Sequence, residues 1–298
     1  MTRFHEYTHR PVLLGEALDL MITDPDGLYL DATIGLGGHA EAILRRLSAR
    51  GRLLGTDMDP EALRLASARL DPFSDRVRLL QENFRRLGDI LEREKFFPLA
   101  GALFDLGVSS LQLDKASRGF SLRLEGPLDM RLDPSNPLTA GRILNEWPAE
   151  QLALLFKEFG EERHAQSIAR KIVQRRGKKP FETTLDLSRF IESQFSKHAG
   201  GIHPATRVFM ALRIAVNREL ENLTRGLDGI VPYLQTGGRI AVITFHSLED
   251  RIVKNVMRSF IDHGHCLEVT PSPVRPTSRE VDENPRSRSA KLRVVEKQ

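Results

Sequence analysis

Three acidic residues and one glycine turn have the spacing to do chemistry in this chain. The turn lies in Leu30-Asp31-Ala32-Thr33-Ile34-Gly35-Leu36-Gly37-Gly38-His39, and the acids are Asp31, Asp57 and Asp105. Glycines let a backbone bend sharply and let a ligand approach it closely. A helix N-terminus after such a turn favours a carboxylate or phosphate. Gly35-Leu36-Gly37-Gly38-His39-Ala40 satisfies the dinucleotide pattern G-x-G-x-x-G/A, and Asp57 follows about twenty positions on, where a carboxylate accepts hydrogen bonds from ribose hydroxyls. S-adenosylmethionine and a dinucleotide both fit that much. Asp31 before the glycines, where a dinucleotide fold wants an apolar residue, suits a cationic ligand, and Asp105 ends a later apolar run. Three acids without a phosphate-binding lysine favour S-adenosylmethionine. The plainer alternative is that one or two of the acids only cap helices or loops.

The elements that must carry these residues alternate. Strand signals at 27–33, 51–57, 77–80 and 99–106 are separated by helical spacing at 38–50, 60–70 and 84–94. This order predicts a parallel sheet flanked by helices, with ligands at the carboxyl ends of the strands. From 112 to about 204 the sequence is turn-rich and helical (148–156, 163–174, 185–195). A long helix is expected over 205–223, a buried strand over 237–245, a helix over 248–260 with Ser247 as its cap, and closing strands at 266–270 and 292–296. The expected architecture is an α/β sheet domain formed by 1–111 and 205–298, with an inserted all-helical domain at 112–204. The proline-rich segment 271–289 is the most loop-like of the chain, a composition compatible with disorder alone and order on a partner.

Bulk properties narrow the class. The 298 residues are 40% hydrophobic and 28% charged, as in globular domains. One cysteine, Cys266, excludes an internal disulfide framework and fits a reducing cytosol. No signal-peptide core or membrane-length apolar run occurs, so the cytoplasm is the expected location. The net charge of +4 is unevenly spread. Seven Lys/Arg and no acid fall within 163–179, and Arg275, Arg279, Arg286, Arg288, Lys291 and Arg293 cluster later. Such density is the footprint of a polyanion, or else a solvated face. His203 and His246 lack metal-ligand spacing, so no metal is expected.

The chain resembles the bacterial ribosomal RNA small-subunit methyltransferase H (MraW) family. The resemblance rests on His9-Arg10-Pro11-Val12-Leu13-Leu14, Gly37-Gly38-His39, Asp57-Met58-Asp59-Pro60 and Leu106-Gly107-Val108-Ser109-Ser110 with Gln112. It continues through Arg118-Gly119-Phe120-Ser121, Gly126-Pro127-Leu128-Asp129-Met130-Arg131, Gly160-Glu161-Glu162-Arg163 and His203-Pro204-Ala205-Thr206-Arg207. Phe245-His246-Ser247-Leu248-Glu249-Asp250-Arg251 and Asn284-Pro285-Arg286-Ser287-Arg288-Ser289 complete it.

The resemblance implies a Rossmann-like, class I S-adenosylmethionine-dependent methyltransferase that methylates N4 of a cytidine in the decoding (P-site) region of 16S rRNA, with the small ribosomal subunit as partner. It implies cofactor contacts at Gly37, Gly38, His39, Asp57, Phe84, Asp105 and Gln112. Many enzymes that methylate nucleic-acid amines carry an acid, Asn or Ser followed by two prolines and an aromatic after the fourth strand. This chain has Asp105-Leu106-Gly107-Val108-Ser109-Ser110 there, which leaves Asp105, a backbone carbonyl or Ser109 as acceptor for the amine. Asp129, Arg131, His246, Arg286 and Arg288 are candidates for handling substrate, and the 163–179 stretch for phosphates. A nicotinamide-linked oxidoreductase and a non-catalytic RNA-binding protein are the competing readings. Monomer and homodimer are both compatible with the sequence.

Overall fold

The computed structural model describes residues 11–195 and 203–298, so the His9-Arg10 pair lies outside the described residues. The chain forms two compact units, one running up to Gly107 and resuming at Leu220, the other spanning Val108–Glu219.

The first unit is built on a seven-stranded sheet: β1 (Leu28–Asp31), β2 (Arg52–Asp57), β3 (Val77–Gln81), β4 (Leu99–Asp105), β5 (Leu234–Thr244), β6 (Cys266–Glu268) and β7 (Lys291–Lys297). Their order is β3-β2-β1-β4-β5-β7-β6. The first five are parallel, and β7 lies antiparallel between β5 and β6. This is the Rossmann-like α/β arrangement that the resemblance implies. The order reverses between β1 and β4, where open α/β sheets bind their ligands.

Period-two alternation supplies both faces. Leu30, Leu54, Ala102, Phe104, Ile240 and Val242 pack against α4 (Leu87–Glu94), α11 (Glu219–Asp228) and α12 (Ser247–Asp262). Tyr29, Leu53, Leu103, Ala241 and Ile243 pack against α1 (Leu14–Met21), α2 (Gly38–Arg46) and α3 (Pro60–Leu70). β4 is buried throughout except at Asp105, as befits an interior strand covered on both sides.

Two expectations change. Residues 205–223 form two helices, α10 (Thr206–Asn217) and α11, because Arg218 takes a left-handed conformation with φ of 51°. Asn217 is pinned there: its amide donates to Met130 O at 2.8 Å, and its carbonyl accepts from Leu132 N at 2.8 Å. The segment 271–289 is ordered within the chain itself. It carries α13 (Ser278–Glu283) and a short 3-10 turn (Pro285–Ser289), and Leu13 N donates to Glu280 at 2.8 Å.

The second unit has its own core. α5 (Ser110–Asp114), α6 (Ala140–Glu146), α7 (Ala149–Glu158), α8 (Ala165–Arg176), α9 (Thr184–Glu192) and α10 surround Ile143, Leu152, Phe156, Ile168, Phe181 and Leu212. α10 belongs here, since Val208, Phe209, Ala211, Leu212 and Val216 are buried in this core; the boundary expected near 205 falls at Glu219/Leu220. Among the described residues no helix is long and apolar enough to cross a membrane.

Candidate active site

Register brings the three acids together. Asp31 pairs with Gly55 on β2 and with Leu103 on β4. Asp57 and Asp105 stand two residues further along their strands, so all three side chains leave the same face at the carboxyl ends. Gly55 leaves room for the turn, because a Cβ there would meet Ile34 Cδ1 at 2.4 Å.

Backbone and side chains lock the turn onto the sheet. Ile34 N donates to Thr56 O, and Thr56 Oγ1 donates to Ala32 O. Gly35 and Gly37 have φ of 50° and 77°, left-handed values that favour glycine. A Cβ on Gly35 would meet only Thr33 O, at 3.8 Å, so the outer side of the turn is clear of side chains. Gly35 N donates to Asp57 Oδ2 at 2.9 Å, and Asp59 N to Asp57 Oδ1 at 2.9 Å. Thr33 was not foreseen: its hydroxyl oxygen accepts from Asp105 N at 2.7 Å, and its own N–H donates to Asp31 Oδ1. Its only sequence signal is a hydroxyl two residues past a strand-ending acid.

Charge is concentrated here. Burial pushes the Asp31 carboxyl up to about 7; His39 opposes this, while Asp105 and Asp57 add to it. Burial also raises Asp57 to about 6, partly offset by the N–H groups of Asp59 and Gly35. The buried His39 ring lies between Val12 O, 3.1 Å from Nε2, and Asp105 Oδ2, 3.4 Å from Nδ1. A carbonyl only accepts, so Nε2 carries a proton, and Nδ1 facing a carboxylate favours a second. Burial alone would disfavour the charged ring, but Asp105 and Asp31 outweigh it and raise the His39 pKa. The other oxygen, Asp105 Oδ1, is buried without a hydrogen-bond partner among the described residues. A buried, unpaired carboxylate oxygen is costly and calls for a donor. Phe84, in a short turn after β3, packs edge-on against Phe104 with centroids 5.8 Å apart and is half-buried.

Several of the remaining candidates make structural hydrogen bonds. Ser109 and Gln112 form the capping box of α5: Ser109 Oγ accepts from Gln112 N, and Gln112 Oε1 from Ser109 N at 2.8 Å. Asp129 and Arg131 form a two-pronged pair, Nε to Oδ1 and Nη2 to Oδ2, both at 2.8 Å. Arg131 Nη1 also donates to Pro134 O and Asn136 O, so this pair clasps the 129–136 turn. Burial opposes the charge of Asp129, but Arg131 more than compensates and lowers its pKa. Arg131→Ala is expected to destabilise the helical unit by about 2 kcal/mol, the scale of hydrogen bonds to a charged group, in urea unfolding; an unchanged midpoint would contradict the clasp.

The cap of α12 is His246, where Ser247 was expected. His246 Nδ1 accepts from Glu249 N, and Glu249 Oε2 accepts from Phe245 N and His246 N. Arg286 and Arg288 are exposed on the 3-10 turn, flanking the buried Ser287. Lys291 and Arg293 are spent on Asp250, at 2.7 and 2.8 Å. Arg175 and Arg176 of the first basic stretch are likewise engaged. Arg175 holds both oxygens of Asp186 and lies 3.9 Å from the Phe181 ring centroid; Arg176 donates to Leu144 O.

Comparison with known proteins bears on this arrangement. A chain named ribosomal RNA small subunit methyltransferase H from Symbiobacterium thermophilum is 47% identical over 308 residues, covering 98% of this chain and 97% of the relative. Chains of that name from Carboxydothermus hydrogenoformans and Syntrophobacter fumaroxidans are 46% and 44% identical, covering 98% and 97% of this chain and 98% and 96% of their own lengths. The profile of the MraW methylases matches residues 6–298. The chain therefore belongs to the MraW methylase family.

Proposed function

We propose that this chain transfers a methyl group from S-adenosylmethionine to the exocyclic N4 of a cytidine in the decoding region of 16S rRNA. S-adenosylmethionine is the cofactor. The observation that carries the acceptor class is near-full-length identity to proteins named for the small-subunit rRNA. The N4 position rests on the family resemblance and on chemistry. Methylation of cytosine carbon 5 needs a sulfur nucleophile, and Cys266 is buried in β6, at the edge of the sheet and away from the acids.

The residues fit the cofactor. Bound, it supplies an electrophilic methyl on a positively charged sulfur. Asp57 retains lone pairs for ribose hydroxyls beyond its two backbone contacts. Gly35 lets the ligand lie against the backbone, whereas a Cβ on Gly37 or Gly38 would meet Ala66 or Pro11 instead, and Phe84 offers a ring to adenine. Asp31 and Asp105 favour positive charge. The cytidine amine is a poor nucleophile because its lone pair is delocalised into the ring. We assign Asp105 Oδ1 the hydrogen bond that orients N4 toward the methyl carbon. As the N–C bond forms and the C–S bond breaks, N4 gives up a proton toward that carboxylate. The base must leave its stack to arrive there. The exposed Arg286 and Arg288 are proposed phosphate contacts.

Labelled methyl transfer to naked 16S rRNA and to small subunits, with the product nucleotide identified by mass, tests this reading. Label on N4 of cytidine is expected; label on carbon 5 or ribose would overturn the N4 assignment, and no transfer to either RNA would overturn the reaction.

Cofactor binding carries its own pH signature. Asp31 titrates near 7, and its ionised form favours a cation. Affinity should rise about tenfold between pH 6 and 8, following the ionised fraction, with a proton released on binding below pH 7. The cofactor-free fold responds oppositely. Native Asp31 holds its proton where the unfolded chain has lost it, so its contribution to stability falls as pH rises from about 4 to 7. In calorimetry Asp31→Asn should flatten the affinity profile and remove the Asp31 share of the stability slope, leaving that of Asp57; persistence of the tenfold affinity slope would remove Asp31 as its source.

A further inference from the structure

We propose that the exposed basic face of α8, from Lys157 at the end of α7 through Arg163, Arg170 and Lys171, binds the phosphate backbone of the RNA substrate. The inference rests on the proposed RNA acceptor and locates a contact for it inside the helical unit.

α8 is two-sided. Ala165, Ile168, Ala169 and Ile172 are buried at helical spacing, against a core that includes Leu152, Leu155 and Phe156. Gln166, Ser167, Arg170 and Lys171 are exposed on the other side. With Lys157 and Arg163 they line an open cavity of about 880 Å³. None of the four cations makes an ion pair or side-chain hydrogen bond among the described residues. Two carboxylates, Glu161 and Glu162, stand against them, and Glu162 is buried and accepts from His164 N at 2.8 Å. A lining with excess positive charge and unsatisfied cations matches a polyanion.

The turn before α8 places Arg163 firmly. Gly160 has no room for a side chain, since a Cβ would lie 2.6 Å from Phe156 O and 2.7 Å from Arg207 O. Glu161 follows in a left-handed conformation, and Glu162 N donates back to Phe156 O. The seven basic residues at 163–179 are therefore not one surface. Arg175 and Arg176, at the C-terminal end of α8, hold the unit together, while Arg163, Arg170 and Lys171 are uncommitted among the described residues. Lys157 joins them from a different helix, outside the sequence cluster.

The test compares Arg163→Gln/Arg170→Gln/Lys171→Gln with a charge-matched control on exposed cations of the sheet unit, Arg64→Gln/Lys254→Gln/Arg258→Gln. Binding to 16S rRNA is measured across salt concentrations, together with methyl transfer and cofactor affinity. Each phosphate contact to a single strand contributes about 0.7 to the slope of log affinity against log salt, so three contacts are worth on the order of 100-fold at 0.1 M salt. The α8 variant should lose affinity on that scale, with a slope lower by about 2, while cofactor affinity stays unchanged. Equal affinity and slope for the α8 variant, or an equal loss in the control, overturns the assignment of this face. Failure of the unaltered protein to bind or methylate the RNA would instead overturn the proposed function.

Discussion

Asp105→Asn is expected to lower methyl transfer about 1000-fold in single-turnover measurements with labelled cofactor, within the usual range for a positioned proton acceptor. The substitution preserves shape. It also keeps the backbone bond from residue 105 to Thr33, so the turn should stay in place. What changes is the number of acceptor oxygens. The native carboxylate directs Oδ2 toward His39 and leaves Oδ1 without a partner. An asparagine amide must point its NH₂ at one of those positions. Facing His39 it opposes the protonated ring, and facing outward it presents a donor to an amine that is itself a donor. Either orientation removes one of two functions. Cofactor affinity measured separately divides the loss, because the variant also weakens the negative field around the site. A rate within threefold of the unaltered protein would eliminate Asp105 as the acceptor.

The largest effect on stability is expected at Phe104. It is fully buried in an interior strand, under α4 and α12, and its ring meets Phe84 edge-on. Phe104→Ala removes a ring from a place that helices cover on one side and neighbouring strands fix laterally, so collapse into the void is limited. The cost should be about 4 kcal/mol. That is a large part of the net stability of an ordinary domain and corresponds to a fall in melting temperature of roughly 10 °C. Phe84 loses its packing partner as well, so cofactor affinity should fall together with stability. A variant with an unchanged melting temperature would show that the core had refilled around the gap.

The acids were legible because a strand-ending carboxylate interrupts an apolar run, and parallel register then forces Asp31, Asp57 and Asp105 to one end. What their side chains do was not legible. The bond from Asp105 N to Thr33, and the position of His39 between Val12 and Asp105, join residues far apart in sequence. The break at Arg218 carries no glycine or proline; it is imposed by tertiary bonds from Asn217 to the 130–132 segment. Basic clusters were visible as charge, but partners decide their use. Arg175 finds Asp186 on another helix, whereas Arg170 finds none among the described residues. A histidine caps α12 where serine is the commoner choice, because Glu249 completes the reciprocal bonds from the third helical position.

The placement of β7 inside the sheet has a consequence for biosynthesis. β4 finds its parallel partner β5 only after the whole of Val108–Glu219 has been made, and β6 is held to the sheet through β7 alone. Pairing over such separations is slow, and it follows the loop closure that makes it possible. The helical unit therefore has all of its core available on the nascent chain while β1–β4 still present an unpaired edge. The sheet is completed only when residues through Lys297 have emerged, because its seventh strand in sequence order is an interior one. During that interval the exposed edge of β4 is the vulnerable surface of the molecule, open to mispairing with other chains.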